Sequence, residues 1–367
     1  MTWTDIRGHA EIVEQLRHSA KKGRLAGTYL FAGPAGIGKR TFATKLAQSL
    51  LCEVNSEAAL NPCGHCPACQ QVTALSHPDL EVISKPPDKS LLPLELLIGD
   101  REHRMQEGLC HRISLKPSRG GRKVAIIDDA DYLNQEGANA LLKTLEEPPA
   151  RAVLILITTS AQRQLPTVRS RCQILRFQPL SFDDVVEVLL SREYTASREE
   201  AEAWAALGDG SVSQALAWSE AGLREFREQF LNHLADNDLP SYELAKFVST
   251  FVEEAGKEAS DRRNRLRHVL TIANAFYRQL CHVTQGLPAT GDPVLTGAVT
   301  RSMNSGWSRS DKAASCLERC MEAEAQVDAN AQPVTIIECW IDEVAQMSLP
   351  AQRAPANLSS QKTGPRR

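Results

Sequence analysis

The sequence predicts an α/β protein: a parallel sheet covered by helices in the first half, then an all-helical remainder. Three observations carry this. Apolar runs at 28–31, 80–84, 124–127, 153–157 and 173–177 alternate with helical stretches, the pattern of βαβ units. The first run leads into Gly33-Pro-Ala-Gly36-Ile-Gly38-Lys39-Arg40-Thr41 and an amphipathic stretch to Leu51, which reads as strand, glycine-rich loop and helix. Beyond Ser181, as far as Leu349, only helical patterns remain.

With 367 residues, the chain has room for two or three domains. Its net charge of −3 excludes a general nucleic-acid glue; any such contact needs a local patch. The first residues carry no apolar signal segment, and no apolar run approaches the ~20 residues that span a bilayer. A cytoplasmic protein is expected, where disulfides are rare. Four of its ten cysteines fall between residues 52 and 69, which suggests a metal.

Ile12, Val13, Leu16 and Ala20 sit at helical spacing over residues 10–22. Ile6 to His9 just before them is either a base-contacting segment or a domain-edge loop. Gly33, Gly36, Gly38 and Lys39 fit the phosphate-loop pattern G-x-x-x-x-G-K-[S/T] up to its last place. Glycines there turn backbone N–H groups inward onto phosphate oxygens, and the next helix adds its positive end. The last place normally holds a hydroxyl that ligates Mg²⁺. Arg40 stands there, and Thr41 is one residue late; a guanidinium cannot ligate a metal. The loop can therefore still hold a nucleotide, while metal-assisted hydrolysis is not expected of it. The bland alternative is a glycine turn in an ordinary α/β protein.

Cys63, Cys66 and Cys69 stand at x2 spacing on Gly/Pro turns, and Cys52 joins them from a helix end. Four thiolates suit a closed, tetrahedral structural Zn²⁺ site, a small zinc knuckle; free thiols are the alternative. His65 is expected to face solvent. Residues 91–98 and 100–109 read as helical fragments. The basic turn at 116–123 is either a phosphate contact or a solvated loop. The strand at 124–127 ends in Asp128-Asp129, as a metal-side carboxylate and a water-orienting acid would be presented. Asp131 is expected to cap the helix that runs to Leu145. At the end of the next strand Thr159, with Thr158 its neighbour, is placed to sense a phosphate or position water; a plain strand-end turn is the alternative.

Taken together, the phosphate loop, the cysteine knuckle, Asp128-Asp129-Ala-Asp131, the run from Asn139 to Pro149 and Ser170-Arg171-Cys172 resemble bacterial clamp-loader AAA+ subunits. These are the gamma/tau and delta-prime subunits of DNA polymerase III. The likeness is specific over residues 5–180 and weak beyond. It implies a P-loop AAA+ domain over 1–180 with a zinc module at 52–69. A helical lid over 181–222, an all-α collar domain over 223–348 and a disordered tail over 349–367 follow. By position Arg171 is then an arginine finger acting in trans on a neighbour's ATP. Ser213 falls where the family's second sensor arginine reads nucleotide, and is too short to do so. An altered nucleotide site with an intact finger implies the delta-prime type, and no long extension follows the collar-like helices, which weighs against tau. The implied cofactors are structural Zn²⁺ and, weakly, ATP/Mg²⁺. The implied partners are gamma/tau and delta subunits and, through the complex, the sliding clamp and primed DNA, with no membrane. The rivals are a gamma-type ATPase motor and a non-enzymatic DNA-binding scaffold that uses zinc and the basic turn.

Overall fold

The apolar runs form five short parallel strands: β1 (Thr28–Ala32), β2 (Leu80–Ile83), β3 (Lys123–Ile127), β4 (Ala152–Thr158) and β5 (Gln173–Arg176). The computed structural model describes residues 3–119, 121–220, 222–236, 240–290, 292–304 and 310–348. The expected tail at 349–367 lies outside them. The strands make one sheet in the order β2-β3-β4-β1-β5. The register runs Thr28 against Leu154 and Tyr29 against Gln173, so β1 lies between β4 and β5.

Side chains alternate across a strand, and both faces here are apolar. Tyr29, Phe31, Val124, Ile126, Val153, Ile155 and Ile157 point to one face. Leu30, Ala32, Ala125, Ile127, Leu154 and Leu156 point to the other. The first face packs on helices α1 (Ala10–Lys21), α2 (Lys39–Leu51) and α3 (Pro67–Thr73). The second packs on α4 (Leu94–Ile98), α5 (Gly108–Ser114), α6 (Gln135–Glu146) and α7 (Pro166–Arg169). A sheet buried on both faces needs such unbroken apolar strands.

Three helices complete this first compact unit, which extends to Leu223: α8 (Phe182–Ser191), α9 (Arg198–Leu207) and α10 (Val212–Ala217). Each begins on a serine, Ser181, Ser197 or Ser211, whose hydroxyl accepts a first-turn N–H.

The second unit is all-α: α11 (Leu223–Ala235), α12 (Ser241–Glu253), α13 (Ala259–Thr284), α14 (Pro293–Asn304), α15 (Ser310–Asp328) and α16 (Pro333–Ser348). Phe226 stacks on Phe230, Phe247 and Phe251 inside it. The polar run at 286–310 reads as loop in the sequence, but it contains α14. Pro293 opens that helix, and the Asp292 carboxylate accepts from the Val294 and Leu295 N–H groups, a start signal the composition concealed. Among the described residues no helix is long and apolar enough to cross a membrane.

The segment from Asp100 to Glu107 also departs from its helical expectation. Asp100 Oδ1 collects the N–H groups of Glu102 and His103 at 3.0 and 2.7 Å, and such a local turn competes with a helix.

Candidate nucleotide cleft and cysteine cluster

The glycine-rich loop leaves the carboxyl end of β1 and turns into α2 at Gly38. Gly36 and Gly38 have φ of +74° and +93°, a region that L side chains rarely enter. A Cβ on Gly36 would lie 2.2 Å from Ser211 Oγ, so a side chain is excluded there twice over. Phe42 on α2 meets Phe31 of β1 and Phe177 edge-on, at centroid distances of 5.7 and 5.0 Å. This aromatic contact seats the start of α2 on the sheet.

A cleft of about 490 Å³ opens over the loop. Gly36, Gly38, Lys39, Arg40, Thr41, Asp128, Asp129, Thr159 and Ser213 all line it, so the topology brings these sequence candidates together. Gly33 sits behind, where an added Cβ would meet the Phe177 carbonyl at 2.3 Å. Ile6, Arg7 and His9 form another part of the wall. His9 is buried and its Nε2 donates to the Ile37 carbonyl at 2.9 Å. Burial holds its pKa below the ordinary histidine range.

Lys39 is only 6% exposed, and its ammonium donates to the carbonyls of Gly33 and Pro34. Burial lowers its pKa to about 8, against the opposing pull of Asp131 and Asp128. Arg40 extends from the first turn of α2 and sets Nη1 3.3 Å from Asp128 Oδ2. Thr41 is exposed at the rim. Asp129 takes a left-handed φ of +55°, and burial, then the neighbouring Asp128, raises its pKa. Val212 donates its N–H to the Gly36 carbonyl at 3.0 Å, which seats the start of α10 directly on the loop.

Asp131 does not cap α6. Asn134 does, accepting from the Gly137 N–H at 2.7 Å. Asp131 instead crosses to β4, accepting from the Thr158 hydroxyl and, at 2.7 Å, from the Thr159 N–H. There it ties β4 to the turn after β3, while the asparagine caps the helix.

Arg171 lies elsewhere. Its backbone carbonyl accepts from Thr28 Oγ1 at 2.6 Å, which fixes it at the amino end of β1. The phosphate loop follows the carboxyl end of that strand. Five strand residues separate the two by about 16 Å. The Arg171 guanidinium, 30% exposed, binds Glu146 through Nε at 2.7 Å and through Nη2, and donates from Nη1 to the Thr167 carbonyl at 2.8 Å. Nothing in the sequence marked Glu146 as its partner.

At the far end of α2, Cys52, Cys63, Cys66 and Cys69 bring their four sulfurs within 4.8 Å of one another. Cys63 and Cys69 are 3.9 Å apart, close to the ~3.8 Å that tetrahedral Zn–S bonds impose. The N–H groups of Asn55 and Cys63 point at Cys52 Sγ, and that of Cys66 at Cys63 Sγ. Burial disfavours a Cys52 thiolate, but those N–H donors prevail and bring its pKa down to about 6. Burial raises that of Cys69. The cluster can hold a metal ion. His65 is exposed, and His77 Nδ1 accepts the Asp79 N–H at 3.0 Å, so neither joins it.

The basic turn before β3 is largely exposed, as a solvated loop would be, but two of its arginines are held by glutamates. Arg119 pairs with Glu53, and Arg122 grips Glu57 with two bonds of 2.6 and 2.5 Å. Both glutamates lie in the loop between Cys52 and Cys63. Lys123 is buried and donates to the Arg112 carbonyl. The turn thus fastens the cysteine loop to the sheet.

Sheet, loop and acidic strand end define a phosphate-loop α/β protein of AAA+-like fold. Residues 8–181, just under half of the chain, match the family described as DNA polymerase III, delta subunit, and this part of the chain is similar to delta-prime and tau subunits of that polymerase. It is 38% identical over 205 residues to the subunit delta' of Pseudomonas aeruginosa, covering 56% of this chain and 59% of that one. It is 30% identical over 227 residues to the subunit tau of Escherichia coli, covering 60% and 33%. A solved gamma subunit-related protein of Thermotoga maritima aligns over 92% of this chain and 99% of its own at 17% identity and a TM-score of 0.44. The chain spans less than two thirds of the length of the two curated relatives.

Proposed function

We propose that this chain is a delta-prime-type clamp-loader subunit that lends Arg171 to nucleotide bound by a neighbouring ATPase subunit. The observation that carries this is the placing of Arg171 at the opposite end of β1 from the chain's own phosphate loop. An arginine there cannot serve its own cleft, and its guanidinium is partly exposed to a partner. The Arg40–Asp128 pair inside the cleft supports the same reading, because it engages the carboxylate that a metal-dependent site needs. In this reading residues 181–222 are a lid and 223–348 a collar that assembles the subunits into a ring. The cysteine cluster holds structural Zn²⁺, and the complex loads a sliding clamp on primed DNA. The chain does not polymerise DNA itself.

A gamma-type motor is the second reading. The tau likeness and the retention of Lys39 and Asp128 in the cleft favour it. ATP hydrolysis by the reconstituted loader, with clamp and primed DNA, separates the two. A steep loss with Arg171→Ala and little change with Lys39→Ala in this chain is expected of a finger donor. The reverse pattern makes it a motor.

A further inference from the structure

A phosphate loop of this kind ordinarily takes its nucleotide with Mg²⁺, held by the residue after the lysine and by the carboxylate ending the third strand. The residues here do not fit that ion. Arg40 replaces the hydroxyl, and its Nη1 already stands 3.3 Å from Asp128 Oδ2. Thr41, the nearest hydroxyl in sequence, is the next residue of α2, and successive helix positions point about 100° apart. Asp131 is engaged by Thr158 and Thr159. A divalent cation entering between α2 and β3 would meet the Arg40 guanidinium and an Asp128 carboxylate already paired with it, leaving Asp129 as the remaining carboxylate of that wall.

The anion cradle is intact by comparison. Gly36 and Gly38 hold the loop in its positive-φ turns, and a Cβ on Gly38 would meet nothing within 4 Å, so the loop backbone is open to the cleft. Lys39 reaches back over the loop onto the Gly33 and Pro34 carbonyls, which it can exchange for phosphate oxygens. Arg40 is 53% exposed and meets Asp128 through Nη1, so further N–H groups of its fork are available.

We propose that this cleft binds a nucleoside di- or triphosphate as the metal-free anion, with the Arg40 guanidinium standing where the ion would. Arg40 bridges Asp128 and the outer phosphates, the two groups an ion would have linked. Lys39 and the loop N–H groups take the remaining charge. Mg²⁺ is then an antagonist of binding: it removes two negative charges from the ligand and collides with Arg40. The site keeps a nucleotide without hydrolysing it, a structural ligand that fixes α10 against the loop. The proposal concerns the chain's own cleft and is measured on the isolated chain, so its outcome is separate from that of the Arg171 reading.

The test is calorimetric titration of the full chain with ATP and with ADP, in EDTA and in excess Mg²⁺. Binding in EDTA that weakens on adding Mg²⁺ is expected. Arg40→Ala should weaken binding in EDTA by about tenfold or more, the loss of a charge-assisted hydrogen bond. Arg40→Ser, which restores the hydroxyl, should reverse the order so that Mg²⁺ strengthens binding. Asp128→Asn should keep the preference for metal-free nucleotide, because Arg40 then has no competing carboxylate. Thermal melts confirm that each variant is folded. Binding by the wild type that Mg²⁺ strengthens, no binding in EDTA, or an Arg40→Ser variant with the wild-type order would each overturn the proposal.

Discussion

The two ends of the parallel sheet each carry an arginine paired with a carboxylate, and the pairs differ in what they take out of use. At the carboxyl end Arg40 meets Asp128, a residue facing the cleft, so the contact alters the site's own chemistry. At the amino end Arg171 meets Glu146, the last residue of α6, which does not line the cleft. Opening the first pair changes what the chain can bind. Opening the second would, in the proposed reading, release Arg171 toward a neighbouring subunit. A site can thus retain its loop shape while one side chain redirects its electrostatics.

The largest expected effect breaks this comparison at the amino end. Arg171→Ala should slow hydrolysis at the neighbouring site by about a thousandfold, the low end of what an arginine finger contributes. Single-turnover hydrolysis in the reconstituted complex measures it, and an unchanged rate would leave the amino end without a role. The cysteine cluster provides a control that touches neither arginine. Metal analysis should find about one Zn²⁺ per chain. Cys66→Ser should lose it and cost roughly 3–5 kcal/mol in denaturant unfolding. An unchanged metal content would refute the four-thiolate site.

A pH series sharpens the carboxyl end. Burial puts the Lys39 pKa at about 8, while Asp128 and Asp131 raise it. Between that value and about pH 7 the lysine is already charged and the terminal phosphate still ionised, so ATP affinity in EDTA should be nearly flat. Above it each binding event must also take up a proton, so affinity should fall as pH rises, by up to tenfold per unit. A fall on acidification instead would show that another group governs the site. The smallest effect belongs to Glu146→Gln. The pair is half exposed, so stability should drop by no more than about 1 kcal/mol in urea unfolding. A much larger loss would mean that Glu146 holds the fold, beyond restraining Arg171.

Local signals in the sequence were reliable because their physics is local. The x2 spacing of Cys63, Cys66 and Cys69, with Cys52 nearby, placed four sulfurs together. Gly36 and Gly38 of the glycine-rich loop take positive φ, which allows its tight turns. At Asp131, where one signal had two physical uses, the sequence reading chose the wrong one. Asp131 had the composition of a helix cap and serves β4. The basic turn is largely exposed, as a solvated loop would be, but Arg119 and Arg122 also pair with Glu53 and Glu57, partners that spacing did not mark.

By itself the sequence determined a strand–loop–helix with no hydroxyl at the metal position, a four-cysteine cluster and two differently built halves. These depend on residues within a few positions of each other, where backbone geometry sets the distance. Only the tertiary structure decided that Arg40 engages Asp128, that Glu146 restrains Arg171, and that Arg171 stands at the other end of β1 from the loop. Those partners are far apart in sequence, and the order β2-β3-β4-β1-β5 brings them together. Charge acts through the space that topology sets, so its partners cannot be read from spacing along the chain.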